Sequence, residues 1–189
     1  MNSYKILKNQ VISQDEYTIV PIRYKDRMDI LKWRNEQIYH LRQEKLLTEI
    51  DQENYFKNIV NKLFNQDQPS QLLFSFLKGE ACIGYGGLVH VNWVDRNAEV
   101  SFIMNTELEN EFFSMYWKIF LGLIEQVAFK DLKLFKMFTY AFDLRPKLYS
   151  ILEKESWLKE AVLKKHFCLN GNFGDIIIHS KFNLDFYDL

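Results

Sequence analysis

Ile83-Gly-Tyr-Gly-Gly-Leu88, then Ala98-Glu-Val-Ser-Phe-Ile-Met104, then the aromatic stretch from Glu111 to Phe129 decide the fold between them. The first lies inside a strand run from Ala81 to Val91. The second belongs to a strand from Ala98 to Asn105, with Trp93 to Asn97 turning the chain between the two. Upstream, Leu72 to Leu77 is another strand run, closed by the turn Lys78-Gly79-Glu80. Downstream, Phe113, Tyr116, Trp117, Phe120, Ile124 and Val127 fall on one side of a helix predicted over Glu111 to Phe129. Three antiparallel strands therefore feed one long helix.

Working outward, Tyr17 to Arg23 is β-branched and short, and Pro21 suits a sheet edge because proline donates no ladder hydrogen bond. Asp26 to Gln37 is predicted helical, with Met28, Leu31 and Ile38 along one side. Thr48-Glu-Ile-Asp51 is a capping box that opens a helix carrying Phe56, Ile59, Val60 and Leu63. Beyond the long helix come a strand over Leu132 to Phe142 and a helix from Pro146, a residue suited to the first helical position, to Lys154. Two strands follow, Glu160 to Phe167 and Asp175 to Ser180, joined by the turn formers Leu169 to Gly174. The order β-α-α-β-β-β-α-β-α-β-β reads as one α/β (α+β) domain over residues 1–189, with a core of about 17–180 and a largely antiparallel sheet.

Composition narrows the function classes. With 24 Lys and Arg against 25 Asp and Glu, the chain lacks the basic excess of a phosphate-neutralising nucleic-acid binder. Cys82 and Cys168 form no CxxC and are expected as buried thiols. Met1 to Gln10 has no signal-peptide apolar core, and no apolar run reaches membrane-spanning length, so a cytoplasmic chain with no membrane partner is expected. Four dispersed histidines offer no metal-ligand pair, and no metal is expected. Only seven glycines occur, three of them in Gly84-Tyr85-Gly86-Gly87. Val89 breaks a dinucleotide fingerprint there, and Tyr85 stands where a phosphate loop needs lysine.

The order of elements resembles the GNAT acyl-CoA N-acetyltransferase superfamily from about Tyr17 to Ser180. Leu31-Lys-Trp-Arg-Asn35 is similar to the WRN word of branches that acetylate nucleotide-linked amino sugars or protein N-termini. Ile83 to Leu88 with Ala98 to Met104 resembles the strand pair leading into the coenzyme motif. Ile151-Leu-Glu-Lys-Glu-Ser-Trp157 stands where the family carries a word like LYEKLGF, and Asn170-Gly-Asn-Phe-Gly-Asp175 resembles the last hairpin of the amino-sugar branch.

The resemblance implies acetyl-CoA as co-substrate and a small-molecule primary amine as acceptor, with strand edges that could pair into a homodimer. The coenzyme would lie beside Phe102, Ile103 and Met104, with Phe112, Phe113 and Ser114 in the pyrophosphate loop and Arg145 as a phosphate cation. Glu99 is the first candidate base and His90 the second, because imidazole titrates near neutrality. Tyr149, about one turn before the motif's usual tyrosine position, is the candidate general acid. Trp33, Arg34, Tyr85 and Trp93 are candidate acceptor contacts. The loop at Glu109 to Ser114 departs from the family's glycine-bearing form, with Glu107, Glu109 and Glu111 either crowding the phosphate position or forming the ordinary acidic first turn of a helix. That departure motivates a rival expectation, a binding or regulatory module without coenzyme. An opening between the fourth and fifth predicted strands favours the enzyme, and Phe112 or Phe113 plugging it favours the rival.

Overall fold

In the computed structural model, residues 2–188 are described. Eight strands form one sheet: β1 (Ile12–Gln14), β2 (Tyr17–Pro21), β3 (Leu72–Lys78), β4 (Ala81–Asn92), β5 (Asn97–Met104), β6 (Lys136–Phe142), β7 (Leu158–Leu169) and β8 (Asn172–Phe182). Their spatial order is β1-β2-β3-β4-β5-β6-β8-β7. All neighbours are antiparallel except β5 and β6, which run parallel and pair only through Asn97–Lys136, Ala98–Met137 and Glu99–Phe138. Beyond Glu99 the two strands part. Strand β1 went unread because three residues carry too little pattern. It covers β2 only as far as Ile19, which leaves Pro21 on an open stretch of edge.

Four helices pack on this sheet. The first, α1 (Arg27–Glu36), buries Ile30, Leu31 and Trp33 while Met28 is exposed. The second, α2 (Glu49–Tyr55), opens with the expected box: Thr48 Oγ1 accepts from the Asp51 amide at 3.2 Å and Asp51 Oδ2 accepts from the Thr48 amide at 2.9 Å. A π-helical turn at Phe56–Val60 prolongs it and turns Ile59 outward. The fourth, α4 (Pro146–Lys154), starts on its proline. Strands β7 and β8 are joined at Asn170-Gly171, both at positive φ (50° and 80°), as a two-residue hairpin requires.

The main correction concerns the long helix, α3 (Thr106–Glu125), which begins five residues before its predicted start and is prolonged by a π-helical segment, Gln126–Asp131. Asn105 caps it, its Oδ1 accepting from the Glu107 amide at 3.0 Å. Glu107 and Glu109 stand in the first turn of α3, where carboxylates meet the positive end of the helix dipole, as the helical reading of this acidic stretch expects. Phe112, Phe113 and Ser114 therefore lie in helix, with their amides committed to helical bonding.

Directly paired residues share a sheet face. Gly86, Phe102, Leu88 and Val100 face α3, where Phe102 stacks on Phe120 at 4.1 Å and meets Trp117 edge-on at 5.0 Å. Tyr85, Gly87, Val89, Glu99, Ser101 and Ile103 face the other way, toward α1. Cys82 is half-buried, and burial pushes its thiol up to about 12. Cys168, expected to be buried, is exposed beside the hairpin turn. No helix among the described residues is long and apolar enough to cross a membrane.

Candidate active site

Where β5 and β6 separate, a cleft of about 490 Å³ opens through the sheet. Val100, Phe102, Trp117 and Leu148 line it from the α3 side, and Arg34, Glu99 and Ser101 from the other. Thr139 to Phe142 of β6 form the opposite wall, and His40, Arg42, His90 and Arg145 are also part of the lining. The opening is not plugged: Phe112 stacks on Tyr116 at 5.3 Å and Phe113 packs against Trp117, and neither lines the cleft.

Glu99 is the centre of the polar wall. Its side chain is only 8% exposed; it accepts a hydrogen bond from Arg42 through one oxygen and shares one of 2.9 Å with His90 Nδ1 through the other. Strand alternation alone would put His90 on the face away from Glu99. A bulge between Val89 and Asn92, with His90 at φ 49°, re-aims the imidazole. The two candidate bases are thus one hydrogen-bonded pair, with His90 the solvent-facing member at 65% exposure.

Arg42 sits in the connection after α1, its guanidinium 4.7 Å above the Tyr140 ring. Asn35 holds that connection: its Nδ2 donates to the Leu47 carbonyl at 2.8 Å, and its Oδ1 accepts from the Leu47 amide at 2.8 Å and from Gln43 Nε2 at 3.1 Å. Asn35→Ala removes all three bonds at once. It is expected to cost about 1–3 kcal/mol, read as a lower midpoint in thermal melts, and to lower activity by freeing Arg42.

His40 lines the cleft beside Arg145. Burial first, and then the nearby guanidinium, push its imidazole down to about 3 from 6.5. The unfolded chain takes up a proton as pH falls through 6.5 while the folded site refuses it until about 3, so this group's contribution is present above 6.5 and lost on acidification. His40→Gln is expected to flatten the decline of thermal stability between about pH 6.5 and 4. An unchanged acid limb would count against it.

Among the predicted coenzyme residues, Phe102 and Arg145 line the cleft, while Ile103 and Met104 are buried in the core. Arg145 is engaged by Glu109 and lies 4.9 Å over Phe113. The feared carboxylate crowding is relieved in the same way, since Glu107 is held by Lys32 at 2.7 Å. Of the four candidate acceptor contacts, Arg34 lines the cleft and the three aromatics do not. Trp33 is core, Tyr85 is buried with only its hydroxyl reaching Arg34, and the Trp93 indole N–H donates to the Pro69 carbonyl at 3.1 Å. Tyr149 donates its hydroxyl to the Phe142 carbonyl at 2.8 Å, and burial, with Asp143 adding, pushes it up to about 12. Arg42, His40, Thr139 and Tyr140 were missed, because nothing periodic marks the connection after α1 and β6 reads as plain strand. Among the described residues, no group of three or more His, Cys, Asp or Glu could hold a metal ion.

The cleft suits an extended chain that carries amides. Past Glu99 the β6-facing edge of β5 has no strand partner, so its backbone groups can pair with amides of such a chain as a strand would. The Trp117 indole N–H and the Thr139 hydroxyl, both of cleft-lining residues, are also buried without partners.

The chain is similar to known acetyltransferase structures. Spermidine N-acetyltransferase from Vibrio cholerae, in complex with CoA and spermine, superposes with a TM-score of 0.77 at 18% identity, covering 92% of this chain and 99% of that one. The dodecameric form of spermidine N-acetyltransferase from Vibrio cholerae in an intermediate state gives 0.74 at 19% identity, covering 92% and 97%. These neighbours are polyamine enzymes by name, whereas the sequence words had pointed to amino-sugar or N-terminal branches. No curated protein matches the chain in sequence. The family described as "Acetyltransferase (GNAT) domain" matches residues 19–175. With that match across most of the sheet and the split between β5 and β6, the chain belongs to the GNAT family of acetyl-CoA-dependent acetyltransferases.

Proposed function

We propose that the protein moves the acetyl group of acetyl-CoA to a primary amine held at Glu99, with a nucleotide-linked amino sugar as the acceptor. The observation that carries this reading is the buried Glu99 carboxylate where β5 and β6 part, beside the cleft. Acetyl-CoA supplies the acyl group as a thioester, whose C–S bond breaks as the amine nitrogen bonds to the carbonyl carbon, and the CoA thiolate leaves and takes up a proton. An acceptor amine arrives as an ammonium and must lose a proton before it can attack. Glu99 takes that proton, directly or through water, and the 2.9 Å bond to His90 gives it a route to solvent. Arg42 keeps the carboxylate oriented between turnovers. The amino-sugar acceptor rests on the resemblance of the Trp33-Arg34-Asn35 and Asn170 to Asp175 segments to that branch, Arg34 being the residue of the first that lines the cleft.

Polyamines, the acceptors named for the Vibrio cholerae relatives, are the second reading, and a protein N-terminus is the third. Calorimetric titration with acetyl-CoA, followed by thiol release with a nucleotide-linked amino sugar, spermidine and a free-N-terminus peptide, tests them together. Binding with turnover on the amino sugar is expected. No heat with acetyl-CoA would leave the binding-module alternative standing instead.

A further inference from the structure

Resting on that acetyltransferase reading and deepening it, we infer that the acceptor carries an anionic group, phosphate or carboxylate, and that Arg34 binds it. Three guanidinium groups line the cleft, those of Arg34, Arg42 and Arg145, against one carboxylate, that of Glu99. The Arg42 charge is met by Glu99 and the Arg145 charge by Glu109. Arg34 has only neutral partners: Nη1 donates to the Tyr85 hydroxyl at 2.8 Å and Nε to Gln43 Oε1 at 3.1 Å. Among the described residues no carboxylate lies within 4.0 Å of it, and its Nη2 has no partner. A half-buried cation gives up hydration that an opposite charge best replaces, and the guanidinium fork matches carboxylate and phosphate oxygens.

The placement is fixed before any ligand arrives. Gln43 is itself held by Asn35 at 3.1 Å, and Tyr85 is buried in β4, so the guanidinium plane is set with one edge left toward the cleft. Glu99 and Arg34 then address the two ends of one acceptor, the carboxylate taking the amine and the guanidinium the anion. A polycation finds no such match. Its charges would face three guanidinium groups and a carboxylate already engaged by Arg42.

The test uses acceptor pairs differing only in the anion: glucosamine 6-phosphate against glucosamine, and 4-aminobutyrate against butylamine, with spermidine beside them. The wild type is expected to favour the anionic member of at least one pair by about tenfold or more in kcat/KM, the scale of a charged hydrogen bond. Which pair responds distinguishes phosphate from carboxylate. Arg34→Gln should erase that preference through KM while leaving the acetyl-CoA Kd unchanged, and Arg34→Lys should restore part of it. A preference that survives Arg34→Gln, or spermidine acetylated as well as the anionic amines, would overturn the proposal. So would a matching loss of acetyl-CoA affinity, which would assign Arg34 to the coenzyme phosphates. Should no amine be acetylated, the acetyltransferase reading fails separately. Titration of wild type and Arg34→Gln with inorganic phosphate and glucosamine 6-phosphate then decides alone: Arg34-dependent heat supports the anion site, and equal heat refutes it.

Discussion

Glu99→Gln is expected to lower kcat by about a hundredfold or more, the range in which positioned general bases contribute, while acetyl-CoA binds as before. Glutamine keeps the shape of the side chain and can still accept from Arg42, but it cannot take a proton. The amine must then reach the cleft already neutral. Activity of the variant should climb with pH far into the alkaline range as free amine accumulates, where the wild type has levelled off. This pH signature separates loss of a base from loss of structure. The control is needed because Glu99 is buried, with Arg42 and His90 both on its carboxylate. A drop in thermal midpoint with an unchanged pH profile would place Glu99 in the scaffold. A kcat within about threefold of wild type would end its role as base, whatever the midpoint.

The strands leading to the cleft were legible because β3, β4 and β5 are long, apolar and punctuated by turn residues. What the words in the sequence did was harder to see. Trp33-Arg34-Asn35 is contiguous in the chain but splits three ways in space. Trp33 goes to the core, Arg34 to the cleft, and Asn35 to the connection it clamps. A helix sends neighbouring side chains about 100° apart, so one word cannot mark one site. The start of α3 was misread for a related reason. Glu107, Glu109 and Glu111 hide the partly buried Leu108 and Phe112, so the apolar period surfaces only a turn later.

His90 and Arg42 mark a different limit. Whether His90 reaches Glu99 depends on a bulge, and no residue type between Val89 and Asn92 announces one. Arg42 is placed by hydrogen bonds from Asn35 to the same connection, a link between residues with no shared periodicity. The acidic helix start also illustrates how charge read in sequence overstates repulsion. Lys32 and Arg145, from elements before and after α3, neutralise Glu107 and Glu109, and neither partner is near them in the chain.

Gly86→Ala is expected to cost much stability through the packing of the sheet rather than through a side chain of the cleft. A Cβ on Gly86 would stand 2.2 Å from the Ser101 carbonyl oxygen and 2.9 Å from the Phe120 ring. Neither can step aside. Ser101 is the backbone of the paired strand β5, and Phe120 is fully buried against Phe102. The glycine is there so that this aromatic stack can lie directly on β4, holding β5 against α3 along one side of the cleft. Forcing the extra methyl in should cost about 3 kcal/mol or more, equivalent to a fall of about 6–12 °C in midpoint for a chain of this size. Gly122→Ala provides the contrast. It lies within α3, and its Cβ would meet only the flexible end of Gln14 at 3.5 Å, an ordinary contact. Alanine should gain about 0.5–1 kcal/mol there from helix propensity. Opposite shifts from the same chemical change are the expected result in paired thermal melts. A tolerated Gly86→Ala would mean that β4 and β5 can separate, and that the Phe102–Phe120 stack does not hold the cleft wall.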